Sequence, residues 1–185
     1  MFSRLLLLVF LALVSCGTER NYYVLSPIGR PPSGGGIGIG IGVGPVTMAD
    51  YLVERPYLVF QSSPNKMEIS DLHEWGGDLR NDFTRVLASN LGRRKGTGNI
   101  RTYPWDRENE LKYQITVDVR QFHGTVDGDA LLEASWRAYE LPGSRLVASK
   151  TTTVREPIAR DGFEELVAAQ SRLIDKLAAT IAKEL

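Results

Sequence analysis

The apolar positions of this chain fall into two repeating patterns and one unbroken run. The clearest repeat has period two. Leu111, Tyr113, Ile115, Val117 and Val119 alternate with Lys112, Gln114, Thr116 and Asp118. Successive side chains of a strand point to opposite faces, so this stretch predicts a half-buried β-strand over 111–122. The phase then breaks, because Phe122 and Val126 fall in the polar register. One extra residue near Arg120-Gln121, a β-bulge, accounts for the break. Asp127-Gly128 is a hairpin turn signal. A strand over 130–139 returns with Leu132, Ala134, Trp136 and Ala138 on one face, and Pro142-Gly143-Ser144 turns the chain again. The Thr-rich stretch 146–154 predicts a third strand, polar enough to form a guarded sheet edge.

The second repeat has the helical period. Leu79, Phe83, Val86, Leu87 and Leu91 place a helix within 71–90, its regular part starting near Asp78 because Gly76-Gly77 precede it. Acidic Asp78 and Asp82 at the start and Arg93-Arg94-Lys95 at the end suit the helix dipole, and Gly92 and Gly96 suit the stop. The basic triplet predicts a solvated helix end, with a lipid-headgroup or partner contact as the alternative. Phe163, Leu166, Val167, Leu173, Ile174, Leu177 and Ile181 form a second apolar stripe, which predicts a core-facing helix over 161–183 with Asp161 and Glu164 as a capping box. Shorter strands are expected over 22–25, 57–61, 66–70 and 99–103, a Gly/Pro-rich loop over 29–36 and an irregular piece over 47–56.

Residues 36–46 alternate glycine with branched aliphatics. The spacing is not that of a dinucleotide fingerprint, and no P-loop Lys-Ser/Thr follows, so a strand is expected. A face bare of side chains admits another backbone. That neighbour is either a partner, which would make the strand an interface, or the domain's own loop or helix.

The unbroken run is residues 5–13, preceded by Arg4 and followed by Val14-Ser15-Cys16. It is too short to span a bilayer, which needs about 20 apolar residues. Charged start, apolar middle and small residues before a cleavage point are the order of a secretory signal. Leu13-Val14-Ser15-Cys16 resembles the bacterial lipobox, which implies cleavage before Cys16, lipidation of its thiol (a diacylglyceryl group) and acylation of the new amino terminus, palmitate being the expected chain. In lipoproteins of this kind an Asp after the Cys retains the protein at the inner membrane. Gly17 stands here, which points to the periplasmic leaflet of the outer membrane. The expected organisation is a signal peptide over 1–15, a lipidated tether over 16–21 and a single domain over 22–185.

Composition narrows the function classes. Lys plus Arg and Asp plus Glu are 22 each, so neither nucleic acid nor a polybasic membrane patch is indicated. Cys16 is the one cysteine, so an intramolecular disulfide is impossible. His73 and His123 are the two histidines, expected at the mouth of the first helix and after a strand. No G-x-S-x-G or H-E-x-x-H motif accompanies them. Asp127-Gly128-Asp129 lacks the remaining positions of a calcium loop. Trp75, Trp105 and Trp136 read as core or edge packing. No catalytic residue, cofactor or metal site is expected, and the chain is expected not to be an enzyme.

Several segments together resemble a known family: Tyr22-Tyr23-Val24-Leu25, the run G-I-G-I-G-V-G-P-V over 38–46, Tyr51-Leu52-Val53-Glu54-Arg55-Pro56, and Trp75 before the first helix. They are similar to the PqiC/YmbA lipoproteins, the ABC-type transport auxiliary lipoproteins. The resemblance implies an α/β domain of the mixed α+β kind, like the anticodon-binding-domain group: a compact, largely antiparallel mixed sheet with two main helices. It implies a non-enzymatic outer-membrane lipoprotein that docks a periplasmic MCE-domain protein, itself working with a membrane permease in lipid transport between the two membranes. A structural lipoprotein of another envelope machine is the alternative, with an envelope hydrolase behind it. Homo-oligomerisation stays open.

Overall fold

The computed structural model describes residues 19–31, 38–105 and 110–185. The signal segment, Cys16 and most of the Gly/Pro loop lie outside them. The described chain forms one eight-stranded mixed sheet and three helices: β1 (Asn21–Tyr23), β2 (Ile41–Met48), α1 (Asp50–Val53), β3 (Tyr57–Ser63), β4 (Lys66–Trp75), α2 (Leu79–Lys95), β5 (Ile100–Thr102), β6 (Tyr113–Thr125), β7 (Asp129–Glu140), β8 (Arg145–Pro157) and α3 (Phe163–Ala182).

The antiparallel meander β6–β7–β8 is the backbone of the sheet, and its two hairpins fall at the expected Asp127-Gly128 and Pro142-Gly143 turns. Gly128 and Gly143 adopt φ of 80° and 96°, where a Cβ would be strained. Strand β8 pairs with β7 alone and forms the expected edge. The other side of β6 is shared end to end. Strand β2 runs parallel to its first half, from Ile41↔Tyr113 to Met48↔Val119, and β3 parallel to its end at Phe60↔Gly124. Helix α1 joins them inside the stretch expected to be irregular, with Ala49 N–H bonding the Val119 carbonyl and Tyr51 Oη the Arg120 carbonyl. Strand β5 pairs with β2; β4 pairs antiparallel with β3, and β1 parallel with β4.

The bulge lies where the phase broke, between Val119 and Gln121. Before it, Ile115, Val117 and Val119 face the helices. After it, Phe122 takes that face and meets Phe83 of α2 edge-on, with ring centroids 5.4 Å apart. Helix α3 packs on β6, β7 and β8, and α2 on β2 and β5. Both cover one face. Ile115, Val117, Trp136, Leu166, Leu173 and Leu177 are all buried in the core between them.

Three local expectations change. The capping box does not form: α3 starts from Gly162 with no side-chain cap, its φ of 125° being open only to glycine. Strand β4 continues past Ser70 to Trp75, while α2 starts at Leu79 as expected, capped by Asp78 accepting from Asn81 N–H. That extension puts His73 in β4, while His123 lies within β6 rather than after it. The basic triplet is part-exposed, as expected of a helix end, and also bonds within the domain: Arg93 donates to the Ile28 and Gly29 carbonyls, Arg94 to Asp175 of α3, and Lys95 to the Ala182 carbonyl.

The glycines of β2 and of the residues before it are also covered from within. A Cβ on Gly40 would lie 2.1 Å from the Glu110 carbonyl oxygen, and one on Gly42 would lie 2.8 Å from Leu111 and 2.9 Å from the Trp105 ring. The bare face admits the domain's own β5–β6 connection, so it is not a free interface.

Candidate functional site

With the helices on one side, the opposite face of the sheet presents the other half of each alternation. Thr47 on β2, Thr116, Asp118 and Arg120 on β6, Ser135 and Arg137 on β7, and Ser149 and Thr151 on β8 line a shallow depression of about 500 Å³. Register brings them together, since Thr47 pairs with Asp118, Asp118 with Ser135 and Ser135 with Thr151. The side chains bond across the strands. Thr47 Oγ1 donates to Asp118 Oδ1 at 2.7 Å, and the Ser135 and Thr151 hydroxyls share a hydrogen bond of 2.8 Å. Arg120 lies 3.6 Å from Asp118 and 3.7 Å from Glu133. Hydroxyls, a carboxylate and guanidinium groups set on a rigid sheet can accept and donate hydrogen bonds to a polar or backbone-rich partner.

Toward the end of this face the row turns apolar. Ile69 pairs with Val59 across β4 and β3, and His123, Leu131 and Arg155 follow one another through β6, β7 and β8. The bulge is what sends His123 to this side. Burial holds its imidazole below the ordinary histidine range, opposed by the bond to the Gly124 carbonyl and aided by the Arg155 charge. The 3.1 Å contact from Nδ1 to that carbonyl fits a neutral ring donating at Nδ1. Tyr51 of α1 lies beside it, ring centroids 6.1 Å apart, its hydroxyl pushed up to about 12 chiefly by burial.

His73 is held differently. Its ring stacks on Phe163 at 3.8 Å, and Nδ1 shares a 2.8 Å bond with the Tyr23 hydroxyl. Partial burial, then the Glu164 carboxylate, raise the Tyr23 hydroxyl. Each histidine is thus bound to a neighbour that orients it, and the structure does not bring the two together. Asp127 and Asp129 flank Arg155 at 3.9 and 3.8 Å, an ion-pair arrangement. Among the described residues no group of three or more His, Cys, Asp or Glu could hold a metal. Trp75 and Trp136 are buried, and Trp105 covers Gly42.

Cys16 lies outside the described residues, but the point where its tether meets the domain is visible. Arg20 donates to Glu74 at 2.6 Å, and Asn21, Tyr22 and Tyr23 pair with His73, Glu74 and Trp75. No helix among the described residues is long and apolar enough to cross a membrane. The polar alternation of β6 to β8 was readable along the chain. That no second layer of the described residues covers it was not, because a strand's own sequence does not say what lies above it.

A family model described as "ABC-type transport auxiliary lipoprotein component" matches residues 23–182. No curated protein matches the sequence. Among solved structures, an uncharacterised protein superposes with a TM-score of 0.75 at 20% identity, covering 90% of this chain and 98% of its own. A Xanthomonas campestris protein of the DUF330 family superposes with a TM-score of 0.68 at 15% identity, covering 87% and 92%. At these identities the two likenesses establish the fold.

Proposed function

The chain belongs to the ABC-type transport auxiliary lipoproteins, and from that premise we propose that it is an outer-membrane lipoprotein docking the periplasmic MCE-domain protein of an intermembrane lipid transport system. It acts by binding, not by catalysis. The observation that carries the reading is the extent of the match, which takes in all three helices and every strand after the first.

The anchor in this reading is Cys16. Each buried CH2 of an acyl chain contributes about 0.8 kcal/mol, so several chains hold where one is marginal. Gly17 after the cysteine supports the outer membrane as destination. The uncovered polar face supports binding: its groups are pre-set by cross-strand bonds and lose little freedom when a partner arrives.

Affinity capture of the full chain from detergent-dissolved envelopes tests the partner. The MCE-domain protein and its permease are expected in the eluate, and Asp118→Ala with Arg120→Ala should deplete them. Recovery of intact chain with neither partner would overturn the docking role. Fractionation tests the anchor: Cys16→Ala should leave the outer-membrane fraction, and retention there without partner proteins would overturn lipid anchoring.

A further inference from the structure

The direction in which the tether leaves the domain defines a pole. The N-terminal end of β1 points the same way as the C-terminal ends of β3, β6 and β8 and the N-terminus of α3, given the parallel and antiparallel pairings. At that pole Phe60, Val126, Ile158, Phe163 and Leu166, together with Thr125 and Asp161, line a mostly apolar cleft of about 310 Å³. The cleft adjoins the tether: Phe163 stacks on His73, and His73 pairs with Asn21. Val126, at the tip of the β6–β7 hairpin, is 61% exposed, although hairpin tips are ordinarily polar.

Four residues, 17–20, separate Cys16 from Asn21. Fully extended, that span reaches about 18 Å at most. A domain of this size has a radius of gyration of about 15 Å and is therefore wider than its tether is long. The Arg20–Glu74 ion pair further holds the tether's end against β4. An anchored domain so leashed cannot roll its far pole, with the β7–β8 turn and Leu146, onto the bilayer.

We propose that this pole is a membrane-seating surface: Val126 and the apolar cleft rest in the lipid interface of the bilayer that holds the anchor. The inference rests on the Cys16 anchor of the proposed function. It adds a fixed orientation, with the sheet standing on its end and the polar face turned sideways toward the periplasm, clear of lipid and open to a partner.

The test uses the mature full chain, reconstituted in vesicles of phosphatidylethanolamine and phosphatidylglycerol. Val126→Cys and Leu146→Cys are spin-labelled separately; Leu146 is 51% exposed at the opposite pole and serves as the control. Collision with oxygen reports lipid, and collision with a water-soluble nickel complex reports water. One label per chain is expected, because the Cys16 thiol, carrying its diacylglyceryl group, cannot react. At position 126 oxygen accessibility should rise and nickel accessibility fall several-fold relative to position 146. One label with both positions equally open to nickel overturns the seating surface and leaves the anchor standing. Shielding of position 126 from nickel and oxygen alike would mean a protein neighbour, such as a second copy, and also overturns it. Two labels per chain would show a free Cys16 thiol and overturn the anchor on which the inference rests.

Discussion

The face of the sheet opposite the helices is closed at one corner and open at the other. At the β2 corner, glycine leaves room above the strand, and the chain's own segment before β6 fills it to within 2.1 Å of where a Cβ would stand on Gly40. At the β7–β8 corner, Ser135, Arg137, Ser149 and Thr151 line an open depression, and the Ser135 and Thr151 hydroxyls bond each other. The two corners share one sheet and one alternation. What differs is whether the side chain is absent, so that a backbone can descend, or polar, so that water and neighbouring hydroxyls satisfy it. An unadorned strand face is a seat for the nearest chain, and the nearest chain here is the protein's own.

Gly40→Leu breaks this contrast most severely. Its side chain would collide with the Glu110 backbone carbonyl, which cannot swing aside as the nearby Asn99 side-chain amide can. We expect no cooperative unfolding transition in a urea titration followed by circular dichroism; a near-normal midpoint would show that the covering segment lifts off freely. Leu173→Ala on the helix-covered face comes next. Leu173 is fully buried, and the truncation should cost about 2–5 kcal/mol in the same titration.

The pH dependence tests the buried end of the otherwise open face. His123 has its folded pKa below the unfolded value, so the unfolded chain binds the proton more readily. The stability it contributes is present above the ordinary histidine pKa of about 6.5 and is lost as pH falls through the depressed folded value. Between pH 7 and 5 the fall should be no steeper than about 1.4 kcal/mol per pH unit. His123→Gln should flatten it, and an unchanged slope would place the titrating group elsewhere. The smallest effect belongs to the open corner. Thr151→Ala removes an exposed hydroxyl and one cross-strand bond, and its stability change should stay within about 0.5 kcal/mol. A larger loss would mean that this corner bears on the core.

The elements most legible along the chain were those whose side chains repeat with a clear period. The β6 alternation, its bulge, both hairpin turns and the α3 stripe appear where the pattern places them. Strand β4 was half legible, because beyond Ser70 the residues Asp71, Leu72, His73 and Glu74 break alternation at a pairing irregularity with β3. The basic triplet is part-exposed, as charge at a helix end suggests, but its contacts within the domain were not legible. Here the carbonyls of the segment after β1 and of α3 lie within reach of its long side chains.

The sequence by itself determined the local decisions: strand or helix, where hairpins turn, which residues face the core. Those follow from steric preference and from the cost of leaving apolar groups in water, both of which act residue by residue. It also placed Cys16 a few residues before the first strand, which bounds how far the domain can stand from an anchor. Tertiary structure alone decided what meets each face. Whether glycines admit a partner or the chain's own loop, whether Thr and Ser meet a second layer or water, and which apolar residues gather where the tether leaves all depend on segments tens of residues apart being brought together. Periodicity carries no information about that distance, because a side chain's pattern records which way it points and not what it will find there.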